Sequence, residues 1–292
     1  MGRQTAFLIA VAWAALLAGC GRPPESSQAQ IGEDQPPASS TSPEQTTVVR
    51  VSTAKQLVEA IGSDRTLELA AGDYILSDVP DRHMDFVRWD PEFDGKTITI
   101  RNVRHLVIRG AKKGPTRLLV RPSYAYVLNF EDCESISLEN LTLGHAPEKG
   151  HCTSGVVGAT DCEKLTVRSC DLFGCGTEGL TLERVRSLRF EDSIIRDCSY
   201  GILTAKSCAD LRFTRSQFNR NSEFWGVRMH DSKGILFDTC SFESNKIEEE
   251  LFRAVSCSGI SVKGGRAVGN ICAAISNNPS CIVIEGMHVS EP

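Results

Sequence analysis

The chain has 292 residues, 41% of them apolar, with 24 glycines and 7% aromatics, which suits one large folded unit, two small ones or a single repetitive body. A formal charge of −5 excludes the basic excess that a nucleic-acid-binding domain carries. Twelve cysteines are too few for a disulfide-built miniprotein and many for a chain that leaves the cytoplasm.

At the N-terminus Arg3 precedes an apolar run over residues 6–15, and LLAGC follows at residues 16–20. The run is too short for a permanent membrane span, which needs about 20 apolar residues. This segment resembles the lipobox of bacterial lipoproteins. The resemblance implies that residues 1–19 are a signal peptide and that Cys20 carries a lipid thioether holding the chain on a membrane of the cell envelope. Gly21, where an aspartate is absent, implies the outer rather than the inner membrane if the source has two. Residues 20–47 are rich in Pro, Ser, Gln and Glu. They hold too little apolar surface to repay ordering, so a disordered tether is expected.

Residues 48–292 are expected to form one folded domain. Thr53 and Gln56 make a capping box ahead of a short amphipathic helix over residues 54–61, placed to cover the open end of the first coil. Beyond residue 97 short alternating runs recur, among them HLVIRG, ESISLEN, EKLTVRS, RSLRFED and KGILFDT. Anchors at Leu67, Leu106, Ile136, Leu165, Leu188, Leu211, Ile235, Ile260 and Ile282 define about nine coils, about 23 residues apart from Leu165 onward, with insertions in the first three.

Two residues after each anchor another apolar residue follows, as at Ile108, Leu138, Phe190, Phe213 and Phe237, so one strand face is buried in every coil. A second apolar row precedes the anchors, from Ile98 and Ile100 through Leu180 and Leu182 to Ala274 and Ser276. A third runs through Leu143, Leu172, Ile195, Phe218 and Phe242. Three short strands per coil without helices is the arithmetic of a parallel β-solenoid. The pattern resembles the right-handed parallel β-helix, the pectate-lyase-like superfamily, over residues 48–290. The fold class expected is therefore all-β, a single-stranded right-handed parallel β-helix with a short N-terminal capping helix.

Cysteines recur at corner positions. Cys133, Cys162, Cys208 and Cys257 fall three residues before anchors, and Cys175, Cys198, Asn221, Asn245 and Asn270 ten residues after them. Both rows are expected to be internal ladders, with buried thiols acting as small apolar groups and stacked amides hydrogen-bonding from coil to coil. A disulfide framework is the alternative, but parallel side chains in register point alongside one another. With Cys20 lipidated, eleven cysteines remain and at least one is unpaired. Cys152, in a loop, is the candidate reactive thiol.

One outward face, running Arg109, Glu139, Arg168, Glu191, reads as structural, because its charges alternate and pair across strands. The other carries two rows: Thr99, Asn129, Gly158, Thr181, Thr204, Arg228 and Arg253, and beside them Arg101, Glu131, Thr160, Glu183, Lys206, His230 and Val255. Loops beside it hold Glu178, Tyr200, Phe224, Trp225 and residues 248–250. Regular rows of charged and hydroxyl groups suit an extended sugar chain, and the resembled superfamily commonly binds polysaccharide there. The ligand-binding candidates are Asn129, Lys206, Trp225, Arg253 and, from a loop, His151. A second candidate region is formed by the insertions, with Arg88, Trp89, Asp90, Asp94, Tyr124, His145, Glu148 and Cys152.

The enzyme alternative is a cell-envelope polysaccharide lyase or glycoside hydrolase, with Glu131, Glu183, Arg228 and His230 as candidate catalytic residues. Glu131 and Glu183 lie two coils apart, about 10 Å between backbones, near the upper limit for inverting hydrolysis. Neither outward row contains aspartate, so calcium is not indicated, and no cofactor or metal site is expected. A third alternative is a structural or adhesive solenoid. The expected partners are a membrane, through the lipid anchor, and a polysaccharide, but not nucleic acid.

Overall fold

The computed structural model describes residues 46–146, 154–174 and 178–290. The segment expected to be a signal peptide, Cys20, the expected tether up to residue 45, Glu148, His151, Cys152 and Cys175 lie outside the described residues.

Three long sheets stack strand on strand. The first runs from Thr47–Val51 and Arg65–Leu69 to Ser258–Lys263 and Ile282–Glu285. The second runs from Gly72–Ile75 to His288–Ser290, and the third from Val87–Glu92 and Gly95–Arg101 to Phe252–Val255. From Gly95 onward the chain visits the third, first and second sheets in turn and then rises to the next coil. Every coil-to-coil pairing is parallel. The apolar rows explain this, because in-register stacking puts all three inward faces into one continuous interior.

That interior is built of stacked side chains. The rings of Phe213 and Phe237 stack 4.5 Å apart with nearly parallel planes, and those of Phe218 and Phe242 stack 4.7 Å apart. All four are fully buried. At the start, Thr53 Oγ1 accepts from the Gln56 N–H at 3.2 Å, while Gln56 Oε1 accepts from the backbone of Ser52 rather than of Thr53. The helix Ala54–Ala60 gives Leu57 and Val58 to the core.

The coil closes at corners where single residues adopt left-handed backbone. One row, Asn102, Asp132, Asp161, Arg184, Ser207, Asp231 and Ser256, has φ between 49° and 55°. For residues with a Cβ this conformation costs about 1–2 kcal/mol each. Interactions between coils offset it. The Asp161 N–H donates to Glu183 O at 3.0 Å, and Arg184 donates to both oxygens of Asp161 at 2.6 and 2.8 Å. Arg215 on Asp192 and Arg220 on Asp197 repeat the pairing at two other corners.

The register departs from the expected one at both ends. Leu67 pairs with Ile108, not Leu106, which pairs with Arg65. A slip of two residues keeps every side chain on its face, so the apolar pattern alone does not reveal it. The strand Thr47–Val51 already pairs with Arg65–Leu69, so the first sheet begins one strand before the first anchor. At the other end Ser276 makes only an isolated bridge to Phe252, and the expected strand at Ala274 and Ser276 is absent. Asn278 folds the chain there, accepting from the Ser280 backbone and side chain, and Pro279 brings no N–H. The first insertion is partly a strand: Val87–Glu92 runs antiparallel to Gly95–Arg101. It closes the third sheet's edge with Pro91 and charged side chains, which discourage further pairing.

All nine cysteines among the described residues are free thiols, six of them buried. The corner ladders are present. The backbone N–H of Cys208 donates to Ser232 Oγ, and that of Ser232 to Cys257 Sγ. A row not anticipated in the sequence continues through Cys170, Ser193 and Ser216. Burial pushes the Cys170 thiol up to about 12 and those of Cys208 and Cys240 up to about 11, which keeps them protonated.

The amide ladder links Cys198, Asn221, Asn245 and Asn270. Asn245 donates to Phe218 O and Asn270 Oδ1, both at 2.8 Å, and accepts from the backbone and side chain of Asn221. Asn245→Ala leaves several fully buried groups unpaired and is expected to cost about 2–4 kcal/mol. Urea unfolding checks this, and a cost below about 0.5 kcal/mol contradicts the ladder's role.

Candidate functional site on the third sheet

The outward face of the third sheet carries both expected polar rows in register. Asn129 stands beside Thr99 and Gly158, Thr181 beside Gly158 and Thr204, and Arg228 beside Thr204 and Arg253. In the adjoining row Thr160 stands between Glu131 and Glu183, and His230 between Lys206 and Val255.

Most of these side chains are held by neighbours. At the N-terminal end Arg88 donates to Asp90 at 2.6 Å and to Glu131 at 2.5 Å. Thr99 donates to Asp90 at 2.6 Å, and Asn129 donates to Thr99 at 3.0 Å. Burial works to raise the Asp90 carboxyl, but hydrogen bonds from Arg88 and Thr99 outweigh it and hold the group below its ordinary value. Lys206 donates to Glu183 at 3.2 Å, and Arg184 also donates to that carboxylate. The Lys206 hydrogen bond holds Glu183 below the usual carboxylate range, so it keeps no proton to donate at neutral pH.

The centre of the face is a buried network. Glu178, only 3% exposed, accepts from Thr181 at 2.9 Å, Thr204 at 2.7 Å and the Trp225 indole N–H at 2.9 Å. Burial raises its carboxyl above the ordinary value despite these donors. Tyr126 hydrogen-bonds to Thr181, and burial raises its phenol as well. Two glycines let aromatic rings approach the sheet closely: a Cβ at Gly158 would come within 3.0 Å of the Tyr126 ring, and one at Gly201 within 2.4 Å of the Trp225 indole.

Toward the C-terminal end the Arg228 guanidinium lies 3.9 Å from the Trp225 ring centroid and donates to Glu249 at 3.2 Å. Arg253 donates to Glu250 at 3.0 Å. Phe224 packs on Tyr200 at 5.2 Å, and 40% of its surface remains exposed. Arg228 covers the indole, so Phe224 is the better platform for a sugar ring.

Among the described residues the expected candidates therefore share one face but form no acid–base pair. Glu131 and Glu183 are separated by Thr160 and each is tied to a cation, while Glu178, the carboxyl with a raised pKa, lies beneath the surface. Among the described residues no group of three or more His, Cys, Asp or Glu side chains is arranged to hold a metal ion. The arrangement suits binding by stacking and hydrogen bonding better than proton transfer. A surface depression of about 650 Å³ lies elsewhere, in the corner between the third and first sheets beside Asp161, Ser207 and Asp231. It follows the left-handed corner row and has no aromatic lining. Of the second candidate region, His145 is buried with Nε2 on Ala125 O at 2.8 Å, and burial lowers its pKa.

The rows, Glu178 and Trp225 are legible in the sequence, whereas the bond between the last two and the place of Tyr126 are not. The signal available for the close approach was Gly201, which stands in register with Trp225.

Residues 129–247 match the family model described as "Right handed beta helix region". No curated protein matches the sequence. Among solved structures the chain is similar to an alginate lyase from a Paenibacillus species, at 11% identity over 84% of this chain and 99% of that one, with a TM-score of 0.39. It is also similar to ORF18 of Geobacillus virus E2, at 11% identity over 82% of this chain and 56% of that one, with a TM-score of 0.41. A lacto-N-biosidase from Eubacterium ramulus is similar at 8% identity over 84% and 68%, with a TM-score of 0.33. Three sheets of parallel strands stacked coil on coil, together with the family-model match, make this chain a right-handed parallel β-helix.

Proposed function

We propose that the protein is a lipid-anchored cell-envelope β-helix that binds polysaccharide along the outward face of its third sheet. The observation that carries the reading is that face itself: rows of polar side chains repeating at about 4.8 Å, with an exposed aromatic, Phe224, at their edge. Many weak, regularly spaced contacts suit a repeating polymer, because each sugar adds hydrogen bonds and one stacked ring adds apolar contact. Asn129, Lys206, Trp225 and Arg253 position this surface, and His230 lies on its edge row.

Affinity electrophoresis of the purified protein through gels containing soluble polysaccharides tests the reading. Retardation by at least one polymer is expected, and unchanged mobility across a broad panel contradicts it. The anchor rests on residues 16–20 and has its own check. Metabolic labelling with an alkyne fatty acid is expected to mark the protein and to fail for Cys20→Ser, whereas equal labelling of the variant contradicts lipidation at Cys20.

A further inference from the structure

We infer that the third-sheet face selects an uncharged polysaccharide and turns polyuronates away. This inference rests on the polysaccharide reading above and adds the chemical class of the ligand. Taken alone, Arg228 and Arg253 look like a receptor for sugar carboxylates. The structure commits both to carboxylates of the chain. Arg228 donates to Glu249 at 3.2 Å, and its guanidinium plane is occupied by Trp225. Arg253 donates to Glu250 at 3.0 Å and stands 3.9 Å from Glu249. Lys206, further along, is held by Glu183 at 3.2 Å.

A uronate arriving here exchanges one carboxylate–guanidinium contact for another, so it gains little from the cation. It also leaves Glu249 or Glu250 unpaired beside a second negative charge, and like charges at such separations repel. A neutral chain displaces nothing. It keeps both ion pairs, stacks on the exposed part of Phe224 and hydrogen-bonds to hydroxyl and carboxylate oxygens whose charge is already balanced. The two glutamates thus act as an electrostatic filter, a repulsive element that sets specificity as much as the attractive contacts do.

The test compares the wild type with Glu249→Gln/Glu250→Gln in gels containing either neutral polymers (dextran, xyloglucan, galactomannan) or polyuronates (polygalacturonate, alginate). The wild type is expected to be retarded by at least one neutral polymer and by neither polyuronate. That retention should change little between about 0.05 and 0.5 M NaCl, because no charge is neutralised on binding. The double variant frees both guanidinium groups and is expected to bind polyuronate at least about tenfold more tightly than the wild type, in a salt-sensitive manner. Circular dichroism establishes that the variant is folded. Wild-type retention by polyuronate overturns the inference and leaves the polysaccharide reading standing. A folded double variant that gains no polyuronate retention also overturns the inference. Retention of the wild type by neither class overturns the reading on which it rests.

Discussion

Phe213→Ala is expected to lower the unfolding free energy by about 3–5 kcal/mol. Phe213 is fully buried at the centre of the aromatic stack, on Phe237 at 4.5 Å and near Phe190 at 5.8 Å and Phe218 at 6.1 Å. Truncation removes most of a ring from a row whose neighbours belong to adjacent coils, and the backbone ladder prevents those coils from closing on the space. The stacked geometry adds to the area term, by about 0.5–1.5 kcal/mol for a well-placed pair. In a solenoid each coil contacts only its neighbours, so the loss falls on two coil interfaces rather than being spread over the domain. Urea unfolding with an m-value comparison measures it. Phe213→Leu, which keeps much of the volume, should cost clearly less. A loss below about 1 kcal/mol for the alanine variant would mean that the Phe row does not hold the coils together.

Glu178 provides the second large effect, and its sign depends on pH. Its carboxyl is raised by burial, against hydrogen bonds from Thr204, Trp225 and Thr181. A group with a raised pKa in the folded state contributes its full stability below its unfolded pKa, about 4.3. That contribution is lost as pH rises through the folded value. Asp161, Glu183 and Asp192 are lowered by their cationic partners and act in the opposite direction, losing stability as pH falls. The informative quantity is therefore the difference between wild type and Glu178→Gln. The amide keeps an oxygen for Trp225 and Thr204 and an NH₂ for Thr181, so it preserves the network without a buried charge. The variant is expected to gain on the wild type progressively as pH rises above about 4, the unfolded carboxyl's value, until it passes the raised folded one. Glu178→Ala strands the indole N–H and two hydroxyls and is expected to cost about 2–4 kcal/mol at acidic pH, where the wild-type carboxyl is protonated, and less as pH rises. Parallel pH profiles for wild type and Glu178→Gln would show that the carboxyl is not desolvated as the structure has it.

The interior was largely legible in the sequence. From Leu106 onward the anchors fall in register, because one buried face per strand permits only slips of an even number of residues. The amide row from Asn221 to Asn270 could be read because three identical side chains recur at one spacing. The first coil could not, since a long insertion separates Leu67 from Leu106 and a slip of two leaves the pattern intact. The corners were also hidden. Arg184, Ser207 and Lys164 adopt left-handed backbone because stacking imposes it, and their residue types do not announce it.

At the candidate site the rows were legible but their partners were not. Tyr126, Glu178, Glu249 and Glu250 come from loops, where position depends on three-dimensional closure rather than on strand period. Those loop residues change the chemistry of the face. They turn what reads as two open arginines into balanced ion pairs, and a tryptophan platform into a half-buried hydrogen-bond donor covered by Arg228, leaving Phe224 as the more accessible ring.

The most direct test of polysaccharide binding on the third sheet is a crystal structure of the protein soaked with an oligosaccharide cut from the polymer that retards it. The expected result is a sugar chain lying across the strands from Leu180–Glu183 to Phe252–Val255, with one ring against Phe224 and the Arg228–Glu249 pair intact. Sugars bound only in the corner groove beside Asp161 and Asp231, with the third-sheet face bare, would contradict it.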